Sequence, residues 1–261
     1  MKSIKGIIFD IDGTLVLNQK ALPGALETVS ILKEKGYQLR LISNMTSKTT
    51  IELSHMLSSM GFNINPEEIQ TAVSVCVEYL NNHRDKTVFL AIPEKLLPLF
   101  SGVNKTQDNP DFVVMGDLDN EFNYDLLNRI FNYLMSGAEL ITFHKNPFYF
   151  RDGRKWLDSG AFTMALEQAT GKKAVVMGKP SPVLFERAVA SMGLDKKEVF
   201  VIGDDVSSDI QGARNAGLKS LLLGSGKFQP SHLETYRISK DEFLPHISDL
   251  ITMLEKDDET A

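Results

Sequence analysis

The chain has 261 residues with 28 Lys and Arg against 34 Asp and Glu, a formal net charge of −6; 43% of the residues are hydrophobic and 24% charged. That balance excludes a disordered chain and weighs against binding a nucleic-acid polymer, which needs concentrated positive charge. A single cysteine, Cys76, excludes an intrachain disulfide. No apolar run approaches the ~18 residues a membrane span requires, and Asp10 interrupts the N-terminal apolar run, so a cytoplasmic protein is the expectation.

In chain order, Gly6-Ile7-Ile8-Phe9 reads as a buried strand and Pro23 to Lys35 as a helix, with Gly36 as its stop. Leu39 to Ile42 is a second strand. Ser47 to Met60 places Leu53, Met56, Leu57 and Met60 on one helix face. Asn65-Pro66-Glu67-Glu68 has the cap, the proline and the acids of a helix start. Val88–Ala91, Phe112–Met115 and Leu140–Phe143 read as strands and Tyr124–Met135 as a helix. Val175–Met177 precedes Gly178-Lys179-Pro180. Pro182 to Met192 is a helix, Val199–Ile202 a strand, Ser208 to Ala216 a short helix and Ser220–Leu223 the last strand. The run Glu255 to Glu259 reads as a solvated, frayed tail. Strands alternating with helices imply an open α/β sheet with helices on both faces.

Polar clusters follow four of these strands: Asp10-Ile11-Asp12-Gly13-Thr14, Ser43-Asn44, Gly178-Lys179-Pro180 and Gly203-Asp204-Asp205. In an open parallel sheet the carboxyl ends of the strands share one edge, so clusters distant in sequence converge there. Packed carboxylates repel, and either some protonate or a divalent cation offsets them. All-oxygen donors suit Mg²⁺ better than zinc. A hydroxyl and a lysine beside them can hold a dianionic phosphoryl group, and one carboxylate can attack phosphorus while a second moves the proton.

The segments DIDGTLV, LISN, MGKPSP and VIGDDVSSDI, in this order, resemble the four motifs of the haloacid-dehalogenase superfamily, and the Ser-Asn pair, GKPSP and the stretch from Gly160 to Gly171 are most similar to its NagD-like branch. The resemblance implies a Rossmann-like doubly wound parallel sheet core over residues 1–72 and 178–261, with an α/β cap inserted at 73–177. It implies Asp10 as nucleophile and Asp12 as general acid and then base. Asp10, the backbone carbonyl of Asp12, and Asp204 would hold Mg²⁺, while Ser43, Lys179 and the Asn44 backbone amide would grip the phosphoryl group. Thr14, Asp205 and Asp209 take supporting roles. The implied activity is hydrolysis of a small phosphorylated compound, with a homodimer through the cap as a further expectation. A phosphotransferase or phosphomutase using the same intermediate, or a phospho-accepting module that turns over slowly, are the alternatives.

The remaining polar and aromatic residues read as structural. His55, His83, His144, His232 and His246 lack metal-ligand spacing. His144-Lys145 reads as an ionisable loop pair, Trp156 as part of the cap core and Cys76 as buried and inert. Gly224-Ser225-Gly226-Lys227 lacks the spacing of a nucleotide-binding phosphate loop, because Phe228 follows the lysine. Specificity is assigned to cap loops around Asp117 or from His144 to Ser159.

Overall fold

The computed structural model of the chain describes residues 4–151 and 153–259. It divides into two compact units, Met1–Thr71 with Lys179–Ala261, and Ala72–Gly178. In the first segment, β1 (Gly6–Asp10) is buried at every position, as an apolar run covered on both faces of a sheet must be. A short hairpin, β2 (Val16–Leu17) and β3 (Lys20–Ala21), leads to α1 (Ala25–Glu34), β4 (Gln38–Ser43), α2 (Thr50–Ser59) and β5 (Ile69–Thr71). Thr49 and Glu52 form a reciprocal capping box that starts α2.

The inserted unit starts with α3 (Ala72–Asn81). It continues through β6 (Val88–Ala91), β7 (Phe112–Met115), α4 (Tyr124–Met135), β8 (Glu139–Thr142), the hairpin β9 (Phe148–Arg151) and β10 (Arg154–Leu157), α5 (Ser159–Thr170) and β11 (Val175–Val176). Its sheet is parallel, in the order β11-β8-β7-β6. Its core joins Phe89, Val113 and Met115 of the strands to Ile130 and Leu134 of α4 and Leu166 of α5.

The chain then returns through α6 (Pro182–Met192), β12 (Val199–Gly203), α7 (Gln211–Asn215), β13 (Lys219–Leu223), α8 (Ser231–Thr235), β14 (Phe243–Leu244) and α9 (Asp249–Glu259). Ser181 caps α6 by accepting from the Val183 N–H, and Pro182 takes the first helical position, where no N–H is needed. The six strands of the main sheet of this first unit are all parallel and run β5-β4-β1-β12-β13-β14. Renumbered within the sheet, that is the order 3-2-1-4-5-6, the doubly wound arrangement. Its strand order reverses between β1 and β12, and the crevice for a ligand opens at their carboxyl ends. Ile7, Phe9, Leu41, Ile202 and Leu223 form one face of its core with Leu32, Leu53 and Leu250 from the helices.

Several elements depart from the sequence reading. Asn65 does cap a helical turn, but the turn is a single 3₁₀ piece, Pro66–Glu68, and the chain enters β5 at once. The β-branched Ile69 and Thr71 pair with Leu41 and Ser43, and sheet pairing overrides the helix-start signal. Residues 255–259 continue α9 rather than fraying from it, and Glu255 pairs with Lys35 at 2.6 Å. Ser220–Leu223 is not the last strand, since the two-residue β14 adds an edge beyond it. Trp156 is no core residue: it lies 42% exposed on a strand whose four residues are all exposed. Among the described residues no helix is long and apolar enough to cross a membrane.

Candidate active site

β1 ends in Asp10, and the next residues turn sharply. The Leu15 and Val16 N–H groups both donate to the Ile11 carbonyl, at 3.0 and 2.9 Å, and the Gly13 N–H donates to Val16. This turn leaves Asp12 exposed and tucks Thr14 fully inside, beneath Asp10. The Thr14 hydroxyl lies 3.1 Å from Asp204 Oδ1 and 3.4 Å from Asp10 Oδ2, bridging the ends of the two strands that flank the reversal.

Lys179 is buried, and its ammonium is shared between two carboxylates, Asp10 Oδ1 at 2.5 Å and Asp209 Oδ1 at 2.7 Å. Its backbone is held as firmly as its head. The Asn44 side chain accepts from the Lys179 N–H at 2.7 Å and donates to the Lys179 carbonyl at 2.9 Å. Asn44, delivered by the end of β4, therefore places the lysine. Ser43, just before it, is buried, and its hydroxyl accepts from the Met45 N–H at 3.0 Å.

Asp209 reaches Lys179 from a π-helical turn, Val206–Ile210, ahead of α7. The Asp205 carbonyl accepts from both Asp209 and Ile210, and this widened turn is a device often found at functional sites. Asp209 Oδ2 then accepts from the Asp205 N–H at 3.1 Å. The Asp205 side chain has other partners. Its Oδ1 accepts from the N–H and hydroxyl of Ser207, and its Oδ2 pairs with Lys227 at 2.7 Å. Asp205 is thus a helix cap and the anchor of Lys227, while Asp209 faces the lysine of the site.

The sequence reading set the loop after β13 apart from a nucleotide-binding phosphate loop and gave it no part in the site. The Lys227 N–H donates to Asp204 Oδ2 at 2.7 Å, and the Ser225 hydroxyl donates to the Gly13 carbonyl at 2.7 Å. Gly226, at φ +52°, and Gly13, at φ +97°, press their backbones onto the Asp204 carboxylate. A Cβ on either would stand within 2.4 Å of Asp204 Oδ2, so no larger residue fits without moving that acid. The signal was position: Gly224 to Lys227 follows β13 as the clusters at Asp10, Ser43 and Asp204 follow β1, β4 and β12 of the same sheet. The strand ahead of Gly178, β11, belongs instead to the sheet of the inserted unit and not, as the sequence reading had it, to this edge.

Electrostatics follow from burial. Burial pushes the Asp10 carboxyl up to about 6 against the pull of Lys179, with Asp204 and Asp12 adding to the rise. Burial likewise raises Asp209 to about 6, against Lys179 and with Asp10. Asp204 is raised by burial, partly offset by the Lys227 N–H. Asp12, although exposed, is raised by the protein around it against Lys179 and Lys227. Burial would lower Lys179, but Asp10 and Asp209 outweigh it and the ammonium stays charged. Asp205 runs the other way: Lys227 and Ser207 outweigh burial and hold it down at about 2.

Asp10, Asp204 and Asp209 can bring one oxygen each within 4.8 Å of one another, all three residues being buried. Hard oxygen donors with one shared ammonium leave an excess of negative charge, and this fits a small divalent cation. A second set, Asp117, His144 and Asp158 in the inserted unit, likewise has one possible ligand atom from each residue within 4.8 Å of the others. There, however, His144 Nδ1 lies 3.3 Å from the Asn146 N–H and accepts from it. That contact takes up the Nδ1 lone pair and leaves the ring proton on Nε2, which faces Asp117, so in this arrangement neither ring nitrogen offers a lone pair to a metal.

Comparison with known proteins bears on this geometry. Residues 7–104 match the haloacid dehalogenase-like hydrolase family, and residues 176–250 a family described as HAD-hydrolase-like. The chain is 34% identical over 233 residues, 89% of each chain, to human haloacid dehalogenase-like hydrolase domain-containing protein 2. It belongs to the haloacid dehalogenase-like hydrolases. Mouse phospholysine phosphohistidine inorganic pyrophosphate phosphatase is 30% identical over 262 residues, 98% of this chain and 96% of that protein. Among solved structures, NagD from E. coli K-12 aligns with a TM-score of 0.84 at 25% identity, covering 94% of this chain and 98% of that one. The 4-nitrophenylphosphatase from Thermotoga maritima aligns at 0.85 and 27%, covering 96% and 97%. As a haloacid dehalogenase-like hydrolase of the NagD-like branch, the protein is a phosphohydrolase.

Proposed function

We propose that the protein hydrolyses a small phosphorylated compound through an aspartyl-phosphate on Asp10, with Mg²⁺ as cofactor. The observation that carries this reading is the single buried ammonium of Lys179, shared by Asp10 and Asp209 beside Asp204 at the reversal of the sheet. Asp10 and Asp204, with the Asp12 backbone carbonyl, would hold the cation. Bound there, it would supply positive charge to the transferring group.

The chain's own residues do the rest. Lys179 Nζ donates to Asp10 Oδ1, holding that carboxylate in one orientation, and offers charge to the phosphoryl oxygens, with the Ser43 hydroxyl and the Asn44 backbone amide as further donors. The Asn44 side chain acts earlier, by fixing the lysine's backbone. Asp10, ionised at neutral pH, attacks phosphorus; the P–O bond to the leaving group breaks, and Asp12 donates its proton to that oxygen. The raised pKa of Asp12 favours the protonated form that this step needs. Asp12, now ionised, takes a proton from the water that attacks the acyl phosphate, and phosphate leaves with Asp10 restored. Thr14 and the Gly226–Lys227 loop hold Asp204 in place throughout.

The test is phosphate release from 4-nitrophenyl phosphate, pyrophosphate, phosphoamino acids, sugar phosphates and nucleotides, with Mg²⁺ and with chelator. Cation-dependent release by the wild type and none by Asp10→Asn is the expected result. Phosphate appearing on an added alcohol instead of in solution would favour the transferase reading. Wild-type rates from Asp10→Asn would overturn the assignment.

A further inference from the structure

A second group of titratable side chains lies at the base of the β9–β10 hairpin, within the inserted unit. Asn146 and Pro147 lead into β9, and Asp158 and Ser159 follow β10; the Asp158 N–H donates to the Pro147 carbonyl at 3.1 Å and closes the base. His144 is buried here, with 4% of its surface exposed. Its Nε2 stands 3.1 and 3.2 Å from the two oxygens of Asp117 and 4.0 Å from Asp158 Oδ1. Asp117 also accepts from the Ser159 hydroxyl, at the first residue of α5. On the opposite side of the ring, Nδ1 accepts from the Asn146 N–H at 3.3 Å. Lys145, next in the chain, pairs with Glu167 of α5 at 2.6 Å. Arg151 of β9 pairs with Asp119, two residues beyond Asp117, at 3.4 Å.

The neutral imidazole satisfies both of its neighbours: Nε2–H donates to Asp117 while Nδ1 accepts from Asn146. The imidazolium cannot. Its Nε2–H meets two carboxylates more strongly, but its Nδ1 carries a proton that points at the Asn146 N–H. Protonation therefore trades a stronger bond to Asp117 for the loss of the bond that holds the residue entering the hairpin. We infer that His144 is a positioning residue for the β9–β10 hairpin, whose setting follows the protonation state of this one side chain. Burial lowers the affinity of His144 for its proton, but Asp117 and Asp158 outweigh it, so the exchange falls above the usual histidine range.

Trp156, the chain's one tryptophan, sits on β10, 42% exposed, with the Arg151 guanidinium 5.5 Å from its ring. Its emission therefore reports the hairpin directly. In a titration of the full chain from about pH 5 to 9, we expect a one-proton change in Trp156 emission with its midpoint above ~6.5. His144→Gln, which stays neutral at every pH, should flatten the curve. Asp117→Asn should move the midpoint down by about one unit, as loss of a neighbouring carboxylate does. A flat wild-type curve, or an unchanged transition in His144→Gln, overturns the inference. If His144→Gln does not fold by circular dichroism, the Asp117→Asn midpoint decides, and an unmoved midpoint overturns it equally.

Discussion

The two acidic clusters of this molecule differ in what already answers their charge. Around Asp10 one ammonium serves two carboxylates, and Asp204 rests on a hydroxyl and a backbone N–H. Around Asp117 an imidazole and a hydroxyl converge on a single acid, and the ring's other nitrogen is occupied by the backbone. Both groups can bring one ligand atom from each residue within 4.8 Å of one another, yet in the first a single ammonium faces three acids, whereas in the second both ring nitrogens of His144 are already engaged. Donors already committed, rather than the number of acids, separate a site from a brace.

The largest effect expected is on turnover. Asp10→Asn should lower phosphate release by more than about 1,000-fold, because it removes the carboxylate proposed as nucleophile. The equivalent change in the other cluster, Asp158→Asn, should leave the release assay within about threefold if that cluster is a brace and no more. Lys179→Met breaks the buried pair and strands two carboxylates; it should destabilise the first unit by about 3–5 kcal/mol in thermal or denaturant unfolding. Restoring stability with Mg²⁺ in that variant would sharpen the contrast, since the cation then does the work of the ammonium. Gly226→Ala forces a Cβ onto Asp204 and should weaken Mg²⁺ affinity, read by titration calorimetry, about 10–100-fold.

The clusters also separate by pH. Asp10 and Asp209 titrate at about 6 in the folded chain against 3.8 ordinarily, so the folded state holds more protons between those values. The stability they contribute is present below about pH 4 and lost as pH rises through 6. Melting the protein in chelator at pH 4.5 and pH 7 should show that loss, and saturating Mg²⁺ should diminish it. His144 is also raised, so its contribution is full below ~6.5 and lost as pH rises through its higher folded value. A melting curve of His144→Gln should lack that second step. The smallest effect belongs to the hairpin surface: Trp156→Phe should change stability by less than about 0.5 kcal/mol.

Much of this was legible beforehand because it rests on local signals. The buried β1, the Tyr124–Met135 helix and the Pro182–Met192 helix follow from apolar runs and caps that need no tertiary context. Asp10, Asp204 and Lys179 stood out because each directly follows, ends or re-enters at a strand edge. What sequence hid was relational. Nothing in Ser-Gly-Lys-Phe announces that its backbone will clasp Asp204, and nothing in Asp205 says that Lys227 will take its carboxylate. Trp156 was misplaced because an aromatic between Lys155 and Leu157 looks like core, whereas both strands of its hairpin pair only with each other. At Asn65–Glu68 the sequence showed a helix start but not that it stops after a single 3₁₀ turn, because a cap marks a beginning and says nothing of an end.

The grip of Asn44 on Lys179 has a consequence for how such a chain can diversify. The lysine is the first residue after the insert, but both of its backbone groups are fixed by the strand that precedes the insert. The re-entry point is thereby welded to the first unit and does not depend on what was spliced in between. Inserts of another length or topology could be exchanged between Thr71 and Lys179 and the ammonium would still arrive beside Asp10, which leaves selectivity free to vary while the chemistry stays in place.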